Sequence, residues 1–391
     1  MKDSNPNKQQ IIVFADFFYP AFLAGGQVKS VMNLIFNFSD KYDFYVVTRN
    51  HDLGSKNEFD LPTNQWLKYE NYSVYYANEN FLSYILLIFS LIRKDLSLFY
   101  FNSFFSFKFT FIPIAILLLA LRFNKKILLA PRGELFANAI SYKRVKKTMY
   151  LFFVKKIILK FKNFSFHAST IFEREAIKSV FNTKKFLISI ASDIPDYPKN
   201  FSEANNVTLE KEFDLRIVFY SRISPIKNLE FVLDCINSIQ KVRILLRIYG
   251  PIEDKSYWDF CKKKISSIKQ HKIEYLGFVQ KDAISSIFHE ADLLFLPSRS
   301  ENFGHVILEA LSFSCPVLIS SQTPWTNISD AGAGWCFSLD RPSHFVVALE
   351  KYATATPQIR QKMRSNARGY FEKVFDDSIQ ANRLMLLEIS K

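Results

Sequence analysis

Short unbroken apolar runs alternate with amphipathic stretches along nearly the whole chain. Ile11-Ile12-Val13-Phe14-Ala15 is the first such run. A brief run rich in β-branched and aromatic residues suits a strand buried on both faces of a parallel sheet. Val28, Val31, Leu34 and Ile35 follow at helical spacing. Similar runs predict strands over 44–48, 97–101, 126–130 and 164–168, so the first half reads as one open α/β sheet. The polar segment 196–213, with Pro195 and Pro198 at its start, reads as a linker. The pattern then restarts. Strands are predicted over 215–220, 242–249, 273–276, 292–296 and 316–320, and helices over 228–239, 281–290, 304–313 and the charged tail 357–391. The longest apolar stretch, 109–121, lies between Lys108 and Arg122. It is shorter than the ~20 residues that span a bilayer, so it predicts a buried helix. The expected organisation is a domain over 1–195, a linker over 196–213, a second domain over 214–370 and a terminal helix over 371–391 able to pack back on the first domain.

Composition sharpens this picture at two points. Only 10 of 391 residues are Gly, which excludes collagen-like and Gly-rich low-complexity chains. The net charge of +14 is unevenly placed: residues 1–195 hold 26 basic and 14 acidic side chains, whereas 196–391 hold 25 and 23. The first half is therefore built to meet something anionic. Cys235, Cys261, Cys315 and Cys336 show neither CxxC nor zinc-ligand spacing, which predicts reduced thiols in a cytoplasmic protein. The polar opening MKDSNPNKQQ leads directly to a strand, so no signal peptide is expected.

Two constellations carry chemistry. The first is Pro297-Ser298-Arg299-Ser300-Glu301-Asn302-Phe303-Gly304-His305, which follows a strand and opens a helix bearing Glu309. Amides near Asn302, Phe303 and Gly304 at a helix start favour an anionic ligand, and a carboxylate there accepts hydrogen bonds from sugar hydroxyls. The second is Ser221-Arg222-Ile223-Ser224-Pro225-Ile226-Lys227-Asn228, also after a strand. A planar guanidinium and a compact ammonium in one loop suit a diphosphate. Read singly, Glu301 is also an ordinary acid at a helix start, and Arg222 with Lys227 an ordinary solvated loop. A third segment, 141–162, holds eight basic and no acidic residues interleaved with Val145, Met149, Phe152 and Val154. It reads as a basic amphipathic helix that suits an anionic membrane surface or, equally, a helix packed on the core with a solvated basic face.

In their order these pieces resemble the GT4 family of retaining glycosyltransferases: Ser221-Arg222 with Lys227-Asn228, then Tyr249-Gly250-Pro251, then Leu276-Gly277-Phe278-Val279, then Glu301-Asn302-Phe303-Gly304 with Glu309-Ala310. In the first half, Ala24-Gly25-Gly26, Pro131-Arg132-Gly133-Glu134-Leu135 and His167-Ala168-Ser169 with Glu173 resemble a bacterial cell-surface polysaccharide subgroup. The resemblance implies an α/β, GT-B fold, two Rossmann-like doubly wound domains facing a central cleft. It implies transfer of a sugar from a nucleotide-diphosphate donor to a glycan or lipid-linked acceptor in O-antigen, capsule or exopolysaccharide synthesis. Arg222 and Lys227 would neutralise the departing diphosphate, Glu301 would hold hydroxyls of the transferred sugar, and Glu309 the ribose. Gly250, Phe278 and Val279 would border the nucleoside, the amides of Asn302, Phe303 and Gly304 the sugar or phosphate, and Gly25 and Gly26 the phosphates. Many relatives carry His where this chain has Arg132. Arg cannot act as a base, so Arg132 is expected to bind or to stabilise charge.

No cofactor or metal is expected: Asp-x-Asp is absent from the sequence, and His51, His271, His289 and His344 lack ligand spacing. The expected location is cytoplasmic, peripheral on the inner face of the bacterial membrane through 141–162. The competing readings are an inactive GT-B module that binds sugar or protein, and a basic nucleic-acid-binding protein. No nucleic-acid-reading motif supports the second.

Overall fold

The computed structural model describes residues 8–78, 80–94, 96–141, 144–181, 185–198, 212–279 and 283–390. The chain divides into two compact units, Met1–Ile194 with Asp377–Lys391, and Pro195–Asp376. Most of the expected linker, 199–211, lies outside the described residues, as does the start of the helix expected at 281.

Unit 1 is built, among the described residues, on an eight-stranded sheet. In chain order its elements are β1 (Gln9–Phe14), α1 (Gly26–Phe38), β2 (Tyr42–Arg49), β3 (Trp66–Lys68), β4 (Tyr72–Ala77), α2 (Phe81–Ile92), β5 (Leu98–Phe101), α3 (Ile112–Leu119), β6 (Ile127–Leu129), α4 (Ala137–Ser141), α5 (Arg144–Ile158), β7 (Phe164–Ala168), α6 (Ile171–Phe181) and β8 (Leu187–Ile190). The spatial order is β3-β4-β2-β1-β5-β6-β7-β8. All pairs are parallel except β3 with β4, an antiparallel edge that the sequence pattern did not predict. The apolar runs of β1, β5, β6 and β7 are buried, as strands covered on both faces must be.

The stretch 109–121 is not one buried helix. A π-helical turn, Phe107–Phe111, leads into the shorter α3, which carries Pro113 in its first turn, where a missing N–H costs little. Leu121 adopts a left-handed conformation (φ 53°), and the Arg122 amide donates to the Leu117 carbonyl 3.0 Å away, which closes the helix. Leu119 and Leu121 are consequently exposed. The basic segment 141–162 is likewise divided between the end of α4 and α5, with Tyr142 and Lys143 outside the described residues.

Unit 2 continues with β9 (Leu215–Tyr220), α7 (Leu229–Asn237), β10 (Ile244–Tyr249), α8 (Lys255–Ser267), β11 (Lys272–Gly277), α9 (Ile284–Glu290), β12 (Leu293–Leu296), α10 (His305–Ser312), β13 (Val317–Ser320), β14 (Gly334–Phe337), α11 (Pro342–Ala353) and α12 (Pro357–Ser390). Its described sheet is all parallel in the order β11-β10-β9-β12-β13-β14. From β9 the chain moves outward to β10 and β11, then returns to the other side of β9 as β12. The loops after β9 and β12 therefore leave a topological switch point, where open parallel sheets bind ligands. The tail is one continuous helix, α12. Its part from Asp377 belongs to unit 1, where Asn382 donates to the Ser192 carbonyl at 2.7 Å. The four cysteines are free thiols, with Cys235, Cys261 and Cys315 buried.

Candidate functional site

The two loops at the unit 2 switch point are tied together. The Arg299 amide donates to the Ile226 carbonyl at 2.8 Å, and the Asn228 side-chain amide donates to the Pro297 carbonyl at 3.1 Å. Asn228 sits in a left-handed conformation (φ 62°), turning the chain sharply into α7 so that Lys227 faces the neighbouring loop. There the Lys227 ammonium meets the Glu301 carboxylate at 2.5 Å, with side-chain exposures of 14% and 10%. Ser298 donates to the same Glu301 oxygen at 2.8 Å, and the Glu301 amide is held by the Gln322 carbonyl. The pair is half-enclosed and fixed from both loops, so it is better organised than a solvated surface ion pair.

Arg222 behaves differently. It pairs with Glu253 from the loop after β10, and both side chains are exposed. An exposed pair of this kind contributes ~0–1 kcal/mol and exchanges readily for a stronger anion. The sequence assigns Arg222 and Lys227 one shared role, at a diphosphate; the structure gives them separate carboxylates and separate degrees of enclosure.

Helix α10 opens at Gly304, in a left-handed conformation (φ 81°), without a side-chain cap. An uncapped start presents backbone N–H groups to a ligand. The Phe303 ring does not face solvent. It is buried against Trp325, whose indole donates to the Phe303 carbonyl at 2.6 Å, so its contribution to the loop is to hold the helix start in place. Asn302 is half-buried beside it, and Glu309 is buried further along α10. Phe278 is exposed and Val279 half-buried just past β11. Gly250 has a stricter reason to be glycine than proximity to a ligand. At φ 133° an added Cβ would lie 1.9 Å from the Ser221 carbonyl oxygen, so any side chain would displace the loop that carries Arg222.

Gly25, Gly26 and Arg132 belong to unit 1, and the other ten sequence-predicted site residues to unit 2. Gly25 caps α1 at φ 64° and ψ −126°, a combination that only glycine adopts without strain, and Gly26 is the first residue of α1. A Cβ at Gly25 would meet nothing within 4 Å, so this turn faces open space.

Arg132 is the residue the structure changes most. Its side chain is 4% exposed, and its guanidinium is engaged by protein partners. One arm pairs with Asp193, Nε donates to Asn102 at 2.7 Å and Nη2 to the Tyr100 hydroxyl at 2.6 Å. Asp193 also accepts from Ser30 at 2.7 Å, and Asn33 donates to the Ile194 carbonyl, so the network pins the start of α1 to the strand ends. Tyr100 donates onward to His167 Nδ1, and His167 Nε2 donates to the Ala191 carbonyl at 2.7 Å. Burial, aided by Arg132, lowers the His167 pKa to about 4, which keeps the imidazole neutral and leaves Nδ1 an acceptor for Tyr100. Nearby, Glu134 accepts from the Phe104 and Phe105 amides and from Ser103. Burial nevertheless pushes its pKa up to about 7 against those donors. Asp193, Tyr100 and Ser30 were not singled out from the sequence.

Residues 200–370 match the family model described as glycosyl transferases group 1. An uncharacterized glycosyltransferase of Methanocaldococcus jannaschii is 25% identical over 157 residues, 38% of this chain and 40% of that protein. The chain spans less than half the length of the curated relatives it matches first. Among solved structures, the Anabaena protein HepE in complex with UDP and glucose superimposes with a TM-score of 0.72 at 15% identity, over 98% of this chain and 99% of that one. WaaG, a glycosyltransferase involved in lipopolysaccharide biosynthesis, does so with a TM-score of 0.65 at 15% identity, over 96% and 99%. The fold is thus α/β of the GT-B type, two Rossmann-like doubly wound domains.

Proposed function

We propose that this protein is a retaining glycosyltransferase of the GT4 kind, taking a sugar from a nucleoside-diphosphate donor and passing it to a glycan or lipid-linked glycan in envelope polysaccharide synthesis. The observation that carries the reading is the Lys227–Glu301 pair, enclosed at the switch point beside the uncapped start of α10. The family match over the same residues and the UDP and glucose bound by HepE support a nucleotide-sugar donor. Lys227, joined by Arg222 once it leaves Glu253, stabilises the negative charge that grows on the departing diphosphate. With Lys227 and Arg222 supplying that positive charge, the proposed reaction calls for no metal. Glu301 accepts hydrogen bonds from hydroxyls of the transferred sugar, and Glu309 from the ribose. The bond from the sugar's anomeric carbon to the phosphate oxygen breaks as the acceptor oxygen bonds to the same face. The acceptor's proton passes to the departing phosphate, so configuration is retained without a protein nucleophile.

If the acceptor is lipid-linked, the reading extends to attachment on the inner face of the bacterial cytoplasmic membrane through 141–162. No described helix is long and apolar enough to cross a membrane. The test is incubation with a panel of UDP-, GDP- and dTDP-sugars, reading nucleotide release. Release from at least one donor, accelerated by an acceptor glycan, is expected. Binding of a donor without release from any would instead identify an inactive sugar-binding module.

A further inference from the structure

Unit 1 carries a face that the donor chemistry leaves unused. Helix α2 packs on α3, and α3 on α5, along one side of the sheet. Their inner residues, such as Ile88, Leu117 and Ile158, belong to the buried core. Their outer residues are apolar as well. On α2, Leu82, Leu86 and Phe89 are exposed, and at 100° per residue they form a stripe about 60° wide. On α5, Val145, Met149 and Phe152 repeat the same spacing and are equally exposed. Leu119, at the end of α3 between them, is 78% exposed. A solvated helix would place polar residues at these positions, and adjoining apolar stripes mark a surface with a partner.

The charge identifies that partner. Residues 80–162 hold fifteen Lys and Arg and two Asp and Glu; with Arg132 set aside, since it is buried against Asp193, fourteen cations remain. Of the two acids, Asp95 is outside the described residues and Glu134 turns inward to the Phe104 and Phe105 amides. The cations continue the apolar stripes: Arg93 caps the end of α2 four residues after Phe89, and Lys156 follows Phe152 with its ammonium 4.2 Å over that ring. A second copy of the chain would set like charges against each other. Nucleic acid would satisfy the cations but leave the Leu, Val and Met side chains in water. An anionic bilayer satisfies both, with cations at the headgroups and apolar side chains below them.

We propose that α2, α3 and α5 together form a docking face for an anionic lipid bilayer, so that attachment is not a property of the 141–162 segment alone. The inference rests on the membrane-side placement given above, but not on the transfer chemistry. The test is co-sedimentation of the full chain with phosphatidylglycerol-containing vesicles and with phosphatidylcholine vesicles, at low and high salt. The wild type is expected to bind the anionic vesicles at low salt and to be released as salt rises. The double variant Leu82→Glu/Leu86→Glu, with α5 untouched, should weaken binding at least ~10-fold. Its circular dichroism and its nucleotide release from a soluble donor should stay at wild-type level. Wild-type binding by that variant would overturn the proposal, restricting attachment to α5. Absence of vesicle binding at low salt would also overturn it, as would a solution dimer that the variant dissociates. Failure of the transferase reading appears separately, as absent nucleotide release without vesicles.

Discussion

Replacement of Glu301 or Lys227 by Ala is expected to lower donor turnover by about 10²–10³ in kcat, the loss seen when one fixed charge-stabilising group is removed from a transition state. Lys227 has three N–H donors, and Glu301 takes one of them at 2.5 Å. That contact aims the ammonium and leaves donors for phosphate oxygens. Glu301 therefore acts twice, on the sugar and on the position of the lysine. The two losses should be strongly non-additive, with the double variant little worse than either single one, because each residue depends on the other. Initial rates of nucleotide release for the two singles and the double give the cycle. Full activity in Glu301→Ala would show that the pair is structural. By the same reasoning Arg222→Ala is the milder change, since its exposed pairing with Glu253 holds it in no fixed place.

Arg132→Ala is expected to destabilise unit 1 by about 3–5 kcal/mol, because it leaves the Asp193 carboxylate buried without its cation. The backbone supplies a control. Arg132 adopts a left-handed conformation (φ 54°), which strains a non-glycine residue by about 1–2 kcal/mol. Arg132→Gly relieves that strain, yet the lost ion pair outweighs it, so this variant should also be destabilised, though less than the Ala variant. Urea denaturation followed by circular dichroism measures both. A glycine variant more stable than wild type would mean that the guanidinium contributes little. Because Arg132 also helps to keep His167 neutral, the imidazole should titrate above about 4 in a folded Arg132 variant. In wild type that depressed pKa makes stability fall as pH drops from ~6.5 toward 4, where the unfolded chain binds the proton and the native one does not.

The parallel strands were legible because a strand buried on both faces reads as a nearly continuous apolar run, as in Ile11–Phe14 of β1 and Leu293–Leu296 of β12. The edge was harder: Trp66-Leu67-Lys68 is half-exposed and short, and an apolar run is not required of it. The switch-point loops were legible because their chemistry sits on consecutive residues after recognisable strands. The Lys227–Glu301 contact spans 74 residues, yet both partners stood out in local motifs. Asp193 did not. It pairs with Arg132 across 61 residues, and its own neighbours, Ala191-Ser192 and Ile194, show no pattern that distinguishes a buried acid from a solvated one. The partners of Arg132 were hidden for the same reason, since a guanidinium that binds phosphate and one that anchors a helix look alike until the partner is known. The outer apolar stripes of α2 and α5 were hidden differently. Periodicity shows that a residue is apolar, and only the fold shows which apolar face remains uncovered.

The proposed sugar transfer depends on the loops after β9 and β12 forming a seat for a nucleoside diphosphate. Calorimetric titration of UDP, GDP and dTDP into the wild type and the Lys227→Ala variant tests this without requiring an acceptor. The account predicts one-site saturable binding of at least one of them to the wild type, weakened by roughly tenfold or more in the variant, as loss of a charge-assisted hydrogen bond demands. Equal affinity in the two proteins, or no binding of any of the three to the folded wild type, would contradict it.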